Sequence, residues 1–462
     1  MKIFKLREKI SIKTILFVCS LFSILSLSAQ IDFPQIEQYK LKNGLEVTWI
    51  PYGSLSVTNI HLYTNAGTKN ETPGLQDIAS ITAEAMLWGN AKYSRQAQDN
   101  AISAMGATLT AGSNTNFSSV NIQFLNKDQE KAVDLFASAV LSPTFPAAEL
   151  KELINQKVTY SNPRKMDITQ LGEIFSDLET FGTMNPIGRS SYEKQLTKLD
   201  SAKIREFYQF SYAPKNCKLV ICGKPDDEKL KSLIQKSFGK WEAKLGEMNS
   251  SSYDLPEIKD KFYAVLYKTK ATQAWISWTK KAPMAGTKEM IPFELANSVF
   301  NNIIFREIRE KAGKTYGIYS QYNEAANSGI FRITTQVRAA ETYNTIALFD
   351  SVLKSFCENG ITETQLQVAK AKFRGSYLGM DSPAQISSFF NPMIYSDLSK
   401  RKSRFDEMEM ISTDVVNKII KKYYTATAYK IVVVGDEMLI REQVERLPGL
   451  QKLAFTDIEK DE

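Results

Sequence analysis

The sequence holds a single histidine, His61, in 462 residues, and only four cysteines. A cysteine nucleophile would have to use His61 as its base, and the cysteines lie in apolar or helical contexts. No glycine-rich loop followed by Lys-Ser/Thr is present to cradle a phosphate, and no serine sits in a G-x-S-x-G elbow. His61 falls between Asn59 and Tyr63 on the polar side of a strand and reads as a surface or hydrogen-bonded histidine. A large excess of one charge sign is also lacking. The formal charge is +7, but residues 1–29 carry five basic residues and one acid, and their removal leaves +3. That balance gives no case for nucleic acid or an acidic membrane surface as partner.

The N-terminus supplies the first positive signal. Lys2, Lys5, Arg7, Lys9 and Lys13 precede the apolar run TILFVCSLFSILSLSAQ, which ends in small residues. This is the pattern of a secretory signal peptide over 1–29, cleaved near Ala29. The run is broken by serines and falls short of the roughly 20 residues of a spanning helix. The mature chain is therefore expected to be exported, most simply to the periplasm, with no transmembrane helix. Three cysteines would remain. Cys217 and Cys222 share one strand at an offset of five, which turns them to opposite faces, so they read as buried thiols.

The most informative feature is internal repetition. FYQFSYAPKNCKLVICGKPDD at 207–227 resembles KKYYTATAYKIVVVGDE at 421–437. Each reads as an amphipathic helix, a tyrosine, a loop, a β-branched strand and a glycine turn. Tyr212 precedes Gly223 by the same interval as Tyr424 precedes Gly435. Asp200/Ser201 and Ser412/Thr413 offer caps to the two preceding helices. Two similar halves are expected, 30–250 and 251–462, with a seam at the polar run GEMNSSSYDLPE over 246–257. In each half strands come first and long helices follow: LKNGLEVTWIPYG, with a turn at Asn43-Gly44, and VTNIHLYTNAG as strands, then helices over about 73–88 and 94–105. This segregation predicts an α+β fold, each half an antiparallel sheet covered by helices.

Several segments carry a family resemblance in series. LKNGLEV, NAGTKNETPGL at 65–75, SAMGATLTAGSNTNF at 103–117, FGTMNPIGR at 181–189, YAPKNCKLVICG at 212–223 and IREKAGKTYGIYS at 308–320 are similar to landmarks of the insulinase/pitrilysin zinc peptidases. They occur in order across nearly all of the mature chain. The resemblance implies two α+β halves forming a clam-like shell around a peptide, and an inverted zinc motif, H-x-x-E-H, on the first long helix. In that motif two histidines and a distant glutamate hold zinc, and the glutamate between the histidines activates water.

Here that helix reads GLQDIASITAEAMLWGN. Aligned on its exit, Ile81, Glu84 and Ala85 take the His, Glu and His positions; aligned on its entry, Asp77, Ser80 and Ile81 do. Neither register supplies a histidine. The third ligand is expected in LKELINQKVTYSNP, where Val158, Thr159 and Tyr160 stand and Glu152 is the nearest acid. No metal is therefore expected in this chain, and Glu84 reads as a solvated or helix-pairing carboxylate beside the stripe Ile78-Ile81-Ala85-Trp88.

The second half keeps another family element. Arg309 and Tyr316 stand at the spacing of an Arg/Tyr pair that, in such peptidases, reaches from the zinc-free half to hold the substrate backbone. Gly313 would end the helix between them. One departure is Asn301-Asn302, where the family often has a glycine-rich turn. The resemblance implies a non-catalytic, substrate-binding subunit of a two-chain peptidase, with zinc in a homologous partner and Arg309 and Tyr316 completing its site. The alternative is a stand-alone peptide-binding or structural protein of the cell envelope.

Overall fold

The computed structural model describes residues 33–183, 185–243, 257–284, 286–323, 329–393, 398–425 and 427–454. The signal segment and most of the expected seam lie outside the described residues. In the first half, β1 (Glu37–Lys40), β2 (Glu46–Pro51) and β3 (Val57–Thr64) precede helices α1 (Ile78–Ala85) and α2 (Arg95–Met105). The hairpin β4 (Thr108–Ser113) and β5 (Ser118–Leu125) follows. Then come α3 (Gln129–Leu141), α4 (Ala147–Tyr160), α5 (Ile168–Phe181), the short α6 (Glu193–Leu196), α7 (Ser201–Ser211), β6 (Cys217–Gly223) and α8 (Asp227–Phe238).

The second half repeats this plan. It runs β7 (Phe262–Tyr267), β8 (Gln273–Ala282), α9 (Met290–Ile304), β9 (Thr315–Asn323) and β10 (Gly329–Arg338). Helices α10 (Thr342–Asn359), α11 (Glu363–Leu378), α12 (Pro383–Phe389), α13 (Ser399–Met410) and α14 (Thr413–Tyr423) follow, then β11 (Lys430–Gly435), α15 (Glu437–Val444) and β12 (Gln451–Leu453). The repeat is visible in detail. Tyr212 and Tyr424 both cap their helices and are both buried. The carboxylate of Asp200 and the hydroxyl of Ser412 accept the N–H groups of Lys203 and Val415, as N-caps should.

Two six-stranded open sheets result, in the orders β1-β2-β6-β3-β5-β4 and β12-β7-β11-β8-β10-β9. Most neighbours are antiparallel. The parallel pairs β2/β6, β7/β11 and β7/β12 arise because each later strand returns from a helical segment to lie alongside an early strand. The chain from Gln35 onward is one compact unit.

The halves are joined by an exchange of helices. α5, from the first half, lies on β8 and β11; α12, from the second half, lies on β3 and β6. Leu171 and Phe175 of α5 pack with Leu266, Trp275, Val432 and Val434 of the second sheet. The approach is close enough that a Cβ on Gly172 would fall 2.1 Å from the Trp275 ring. This exchange explains the first of two departures from the sequence reading. β3, whose His61 side reads as polar, is buried almost throughout, because α12 covers the face opposite its own helices. α1 is shorter than the expected 73–88, because Asp77 adopts a left-handed conformation (φ 71°) at its entry and a 3-10 turn, Met86–Trp88, closes its exit.

Candidate functional site

The two helices that resemble the zinc-bearing pair, α1 and α4, do meet, but only part of α1 faces α4. Ile81 and Ala85 are turned into the core of the first half, at 0% and 2% exposure. Only Glu84 of the exit-register positions reaches the seam. Of the entry-register positions, Ser80 lies one turn back on the same side, as a period of 3.6 requires, and Asp77 is the N-cap residue a further turn back.

At the seam, Glu84 Oε1 accepts hydrogen bonds from Lys157 Nζ at 2.5 Å and from Ser80 Oγ at 3.0 Å. Glu84 is thus the helix-pairing carboxylate that its place beside the apolar stripe suggests. Asp77 Oδ2 accepts from Ser191 Oγ at 2.9 Å. Burial raises the Asp77 pKa, while the Ser191 hydroxyl and the Lys157 ammonium pull it down. Behind them Glu71 is buried, accepting the Ala79 N–H at 3.1 Å, and burial pushes its pKa up to about 8.

The residues at the third-ligand position do not complete a metal site. Val158 packs against the first-half core, Thr159 Oγ1 bonds the Asn155 carbonyl, and Tyr160 is 76% exposed. Glu152 is drawn away by Arg95 at 3.1 Å. Zinc needs three protein ligands and an open position. This seam offers Glu84, already held by an ammonium, and Asp77, held by Ser191, and among the described residues no group of three His, Cys, Asp or Glu could hold a metal. The donor set does not fit zinc.

The Arg/Tyr pair occupies a quite different setting. α9 continues into π-helical turns over Phe305–Lys311, a local widening often found at functional positions. Ile308 is buried there while Arg309 points to solvent, its guanidinium 4.5 Å from the centre of the Phe305 ring. Arg306 and Lys311 both pair with Glu307, and Arg309 does not join them. Gly313 (φ 60°) then turns the chain into the edge strand β9, as its spacing suggests. Asn301 sits inside α9 rather than in a turn, and its Oδ1 accepts the Ser320 N–H, tying β9 to the helix.

Tyr316 lies in a β-bulge. Between the pairs Ile318/Thr335 and Thr315/Val337, two residues of β9, Tyr316 and Gly317, oppose the single Gln336. Thr315 Oγ1 fastens the bulge: its one O–H lies within reach of the carbonyls of Gln336 at 2.6 Å and Gly317 at 2.9 Å, and its oxygen accepts the Gly317 N–H. Tyr316 is left 87% exposed.

These features can be set beside known proteins. A sequence model described as Insulinase (Peptidase family M16) matches residues 54–170, and one described as Peptidase M16 inactive domain matches 198–373, together more than half of the chain. The chain belongs to the peptidase M16 family. Among M16 relatives, the uncharacterized zinc protease YmxG of Bacillus subtilis is 21% identical, covering 84% of this chain and 96% of YmxG. Zinc protease PqqE of Helicobacter pylori is 20% identical over 79% of this chain and 84% of its own.

Among solved structures, the M16 inactive domain from Pseudomonas fluorescens superposes with a TM-score of 0.77 at 21% identity, covering 87% of this chain and 98% of that one. The periplasmic protease PqqL from Escherichia coli gives 0.73 at 15% identity, over 92% of this chain and 51% of PqqL. At such identities these likenesses establish the M16 fold.

Two residues of this M16 chain escaped the sequence reading. Lys157 stands one position before Val158, and only its reach across the helix seam reveals it. Of the two readings of His61, surface or hydrogen-bonded, the second holds, but the ring is buried beneath α12 and not on a polar face. Its Nδ1 lies 2.9 Å from the Tyr63 hydroxyl, and burial lowers its pKa to about 3. Cys217 and Cys222 are buried free thiols, as their spacing suggests.

Proposed function

We propose that the chain is the non-catalytic, substrate-binding subunit of a two-chain M16 peptidase, exported to the periplasm and facing a homologous zinc-bearing subunit. The observation that carries this reading is the contrast between its two candidate sites. The α1–α4 seam is closed by an ion pair, while Tyr316 is thrust out on a fastened bulge and Arg309 is exposed on the π-helical turns that precede it. An outward tyrosine without burial contributes nothing to this chain's own core, so a role toward another molecule accounts for it. Guanidinium is a permanent multi-donor cation and phenol a rigid donor. Both suit the carbonyls of a bound peptide and the oxyanion that develops during hydrolysis. Zinc in the partner would supply the activated water; this chain would orient the peptide.

The test is reconstitution with the zinc-bearing homologue. Arg309→Ala and Tyr316→Phe should each lower kcat, by about 100-fold for the arginine, without weakening the complex. Unchanged kinetics for both variants would remove the pair from the reaction. A second reading, a stand-alone peptide-binding protein of the envelope, is favoured by the edge position of β9, which leaves backbone groups open to strand addition. It predicts peptide capture by the isolated chain and no peptidase partner.

A further inference from the structure

The two halves receive their exchanged helices in the same way, and the match isolates a difference. Tyr52 follows β2 and Lys268 follows β7; their N–H groups donate to the carbonyls of Gly223 and Gly435, which end β6 and β11. Each side chain then reaches the backbone just ahead of the helix that crosses its sheet. The Tyr52 hydroxyl donates to the Met380 carbonyl before α12, and the Lys268 ammonium to the Arg164 carbonyl before α5, both at 2.6 Å. The two loops have equal length, YGSLS over 52–56 and KTKAT over 268–272. At matching places the second half thus puts Lys268 and Lys270 where the first half has Tyr52 and Ser54.

These lysines stand at an open cavity of about 350 Å³, lined also by Thr169, Gln273 and Gln336. Lys270 is exposed, and its ammonium pairs with no acid among the described residues. Its backbone is left-handed (φ 66°), a conformation glycine adopts more readily, and Asp436 holds the turn by accepting its N–H at 2.5 Å. A lysine kept at such a position points to a use for its side chain. The acid on the cavity wall, Asp167, is committed to α5: one oxygen accepts the N–H groups of Thr169 and Gln170.

We infer that this cavity is a subsite for a carboxylate of the bound peptide, either an acidic side chain or the C-terminal group. Two ammoniums supply charge-assisted donors to it. The Thr169 oxygen accepts the Gln336 amide at 2.6 Å and keeps its O–H for a further acceptor. Gln336 also ties the cavity to Tyr316, because it is the single residue facing Tyr316 and Gly317 across the bulge. From β9 across β10 to β8 is about 10 Å at the usual strand spacing, or about three residues of extended peptide. A peptide touching Tyr316 can therefore set a carboxylate in the cavity. The inference names the peptide class for the proposed function and rests on the reading that the chain holds a peptide.

The test is fluorescence anisotropy of the full mature chain with three rhodamine-labelled decapeptides of one alanine–threonine sequence. One carries a central glutamine and an amidated end, one a central glutamate and an amidated end, and one the glutamine with a free C-terminal acid. The glutamate or the free-acid peptide should bind about 10-fold more tightly than the neutral one at low salt, and whichever does so identifies the carboxylate. Lys270→Gly and Lys268→Tyr, the second borrowing the residue of the first half, should each remove that preference. Lys281→Ser, exposed near the far end of β8, should keep it. Lys270→Gly also relieves the left-handed backbone, so its melting temperature should hold or rise, which separates lost binding from lost folding.

No zinc-bearing subunit is present, so the result stands apart from the reconstituted kinetics. If the preference holds while Arg309→Ala leaves those kinetics unchanged, the cavity serves a stand-alone peptide binder. Equal binding of the three peptides, binding of none, or a preference that survives both lysine changes would overturn the inference, even where Arg309→Ala still slows the reconstituted enzyme.

Discussion

Arg332, on the second-half sheet, is ion-paired to Asp177 on α5, a helix contributed by the first half. Ser176, one residue earlier, shares a 2.5 Å hydrogen bond with Ser277 on the same sheet. The reciprocal contact places α12 of the second half over His61 and Tyr63 on β3. Polar side chains therefore sit at both crossings of the exchanged helices, where they fix register between halves that apolar packing alone would let slide.

Breaking this pair should be costly. Asp177→Ala leaves the largely buried Arg332 without its carboxylate and should destabilise the chain by about 3 kcal/mol. Replacing both residues by apolar ones of similar size should recover most of that. Urea unfolding of the single and double variants checks it; equal losses in both would place the cost in packing rather than charge.

Two buried groups set opposite pH slopes. Glu71 has its pKa raised from 4.5 to about 8, so the stability tied to its neutral form is present below pH 4.5 and is lost as pH rises toward 8. His61 has its pKa lowered from 6.5 to about 3, so its contribution is present above pH 6.5 and is lost as pH falls toward 3. The slopes cancel between about pH 4.5 and 6.5. Above that, Glu71 alone should reduce stability by up to about 1.4 kcal/mol per pH unit. Glu71→Gln should flatten this alkaline limb in unfolding measurements taken from pH 6.5 to 8. An unchanged limb would show that Glu71 is ionised in the folded chain.

The bulge that carries Tyr316 is open to a direct test. A Cβ on Gly317 would fall 2.7 Å from atoms of the Tyr319 ring, so Gly317→Ala must displace that ring. Thr315→Val removes the hydroxyl that fastens the bulge and should cost about 1–3 kcal/mol. Tyr316→Phe, at an exposed position, should change stability by less than about 0.5 kcal/mol. If the bulge positions Tyr316 for a peptide, Thr315→Val should impair the reconstituted activity far more than its stability loss explains. A proportionate loss would leave the bulge a purely structural device.

Much of this was legible in the chain. The paired spacing of Tyr212–Gly223 and Tyr424–Gly435 announced two similar halves, because a buried tyrosine and a strand recur only where the same packing recurs. The cap residues Asp200 and Ser412 and the helix stop at Gly313 were likewise local signals with local causes. The exchange of α5 and α12 was not legible, since nothing in a strand's own pattern says which distant helix will cover its second face. For that reason the hydrogen bond of His61 was legible and its burial was not. The role of Lys157 was hidden similarly: a lysine at 157 and a glutamate at 84 mean nothing until two helices bring them together.

The most direct test of the central claim is a pull-down of the tagged mature chain from its native cell envelope, with zinc and peptidase activity assayed on the eluate. The account predicts that an H-x-x-E-H homologue co-elutes with zinc and activity, and that Arg309→Ala abolishes most of the activity while the homologue is still retained. A chain that elutes alone and inactive, or that binds stoichiometric zinc and cuts peptides by itself, would contradict it.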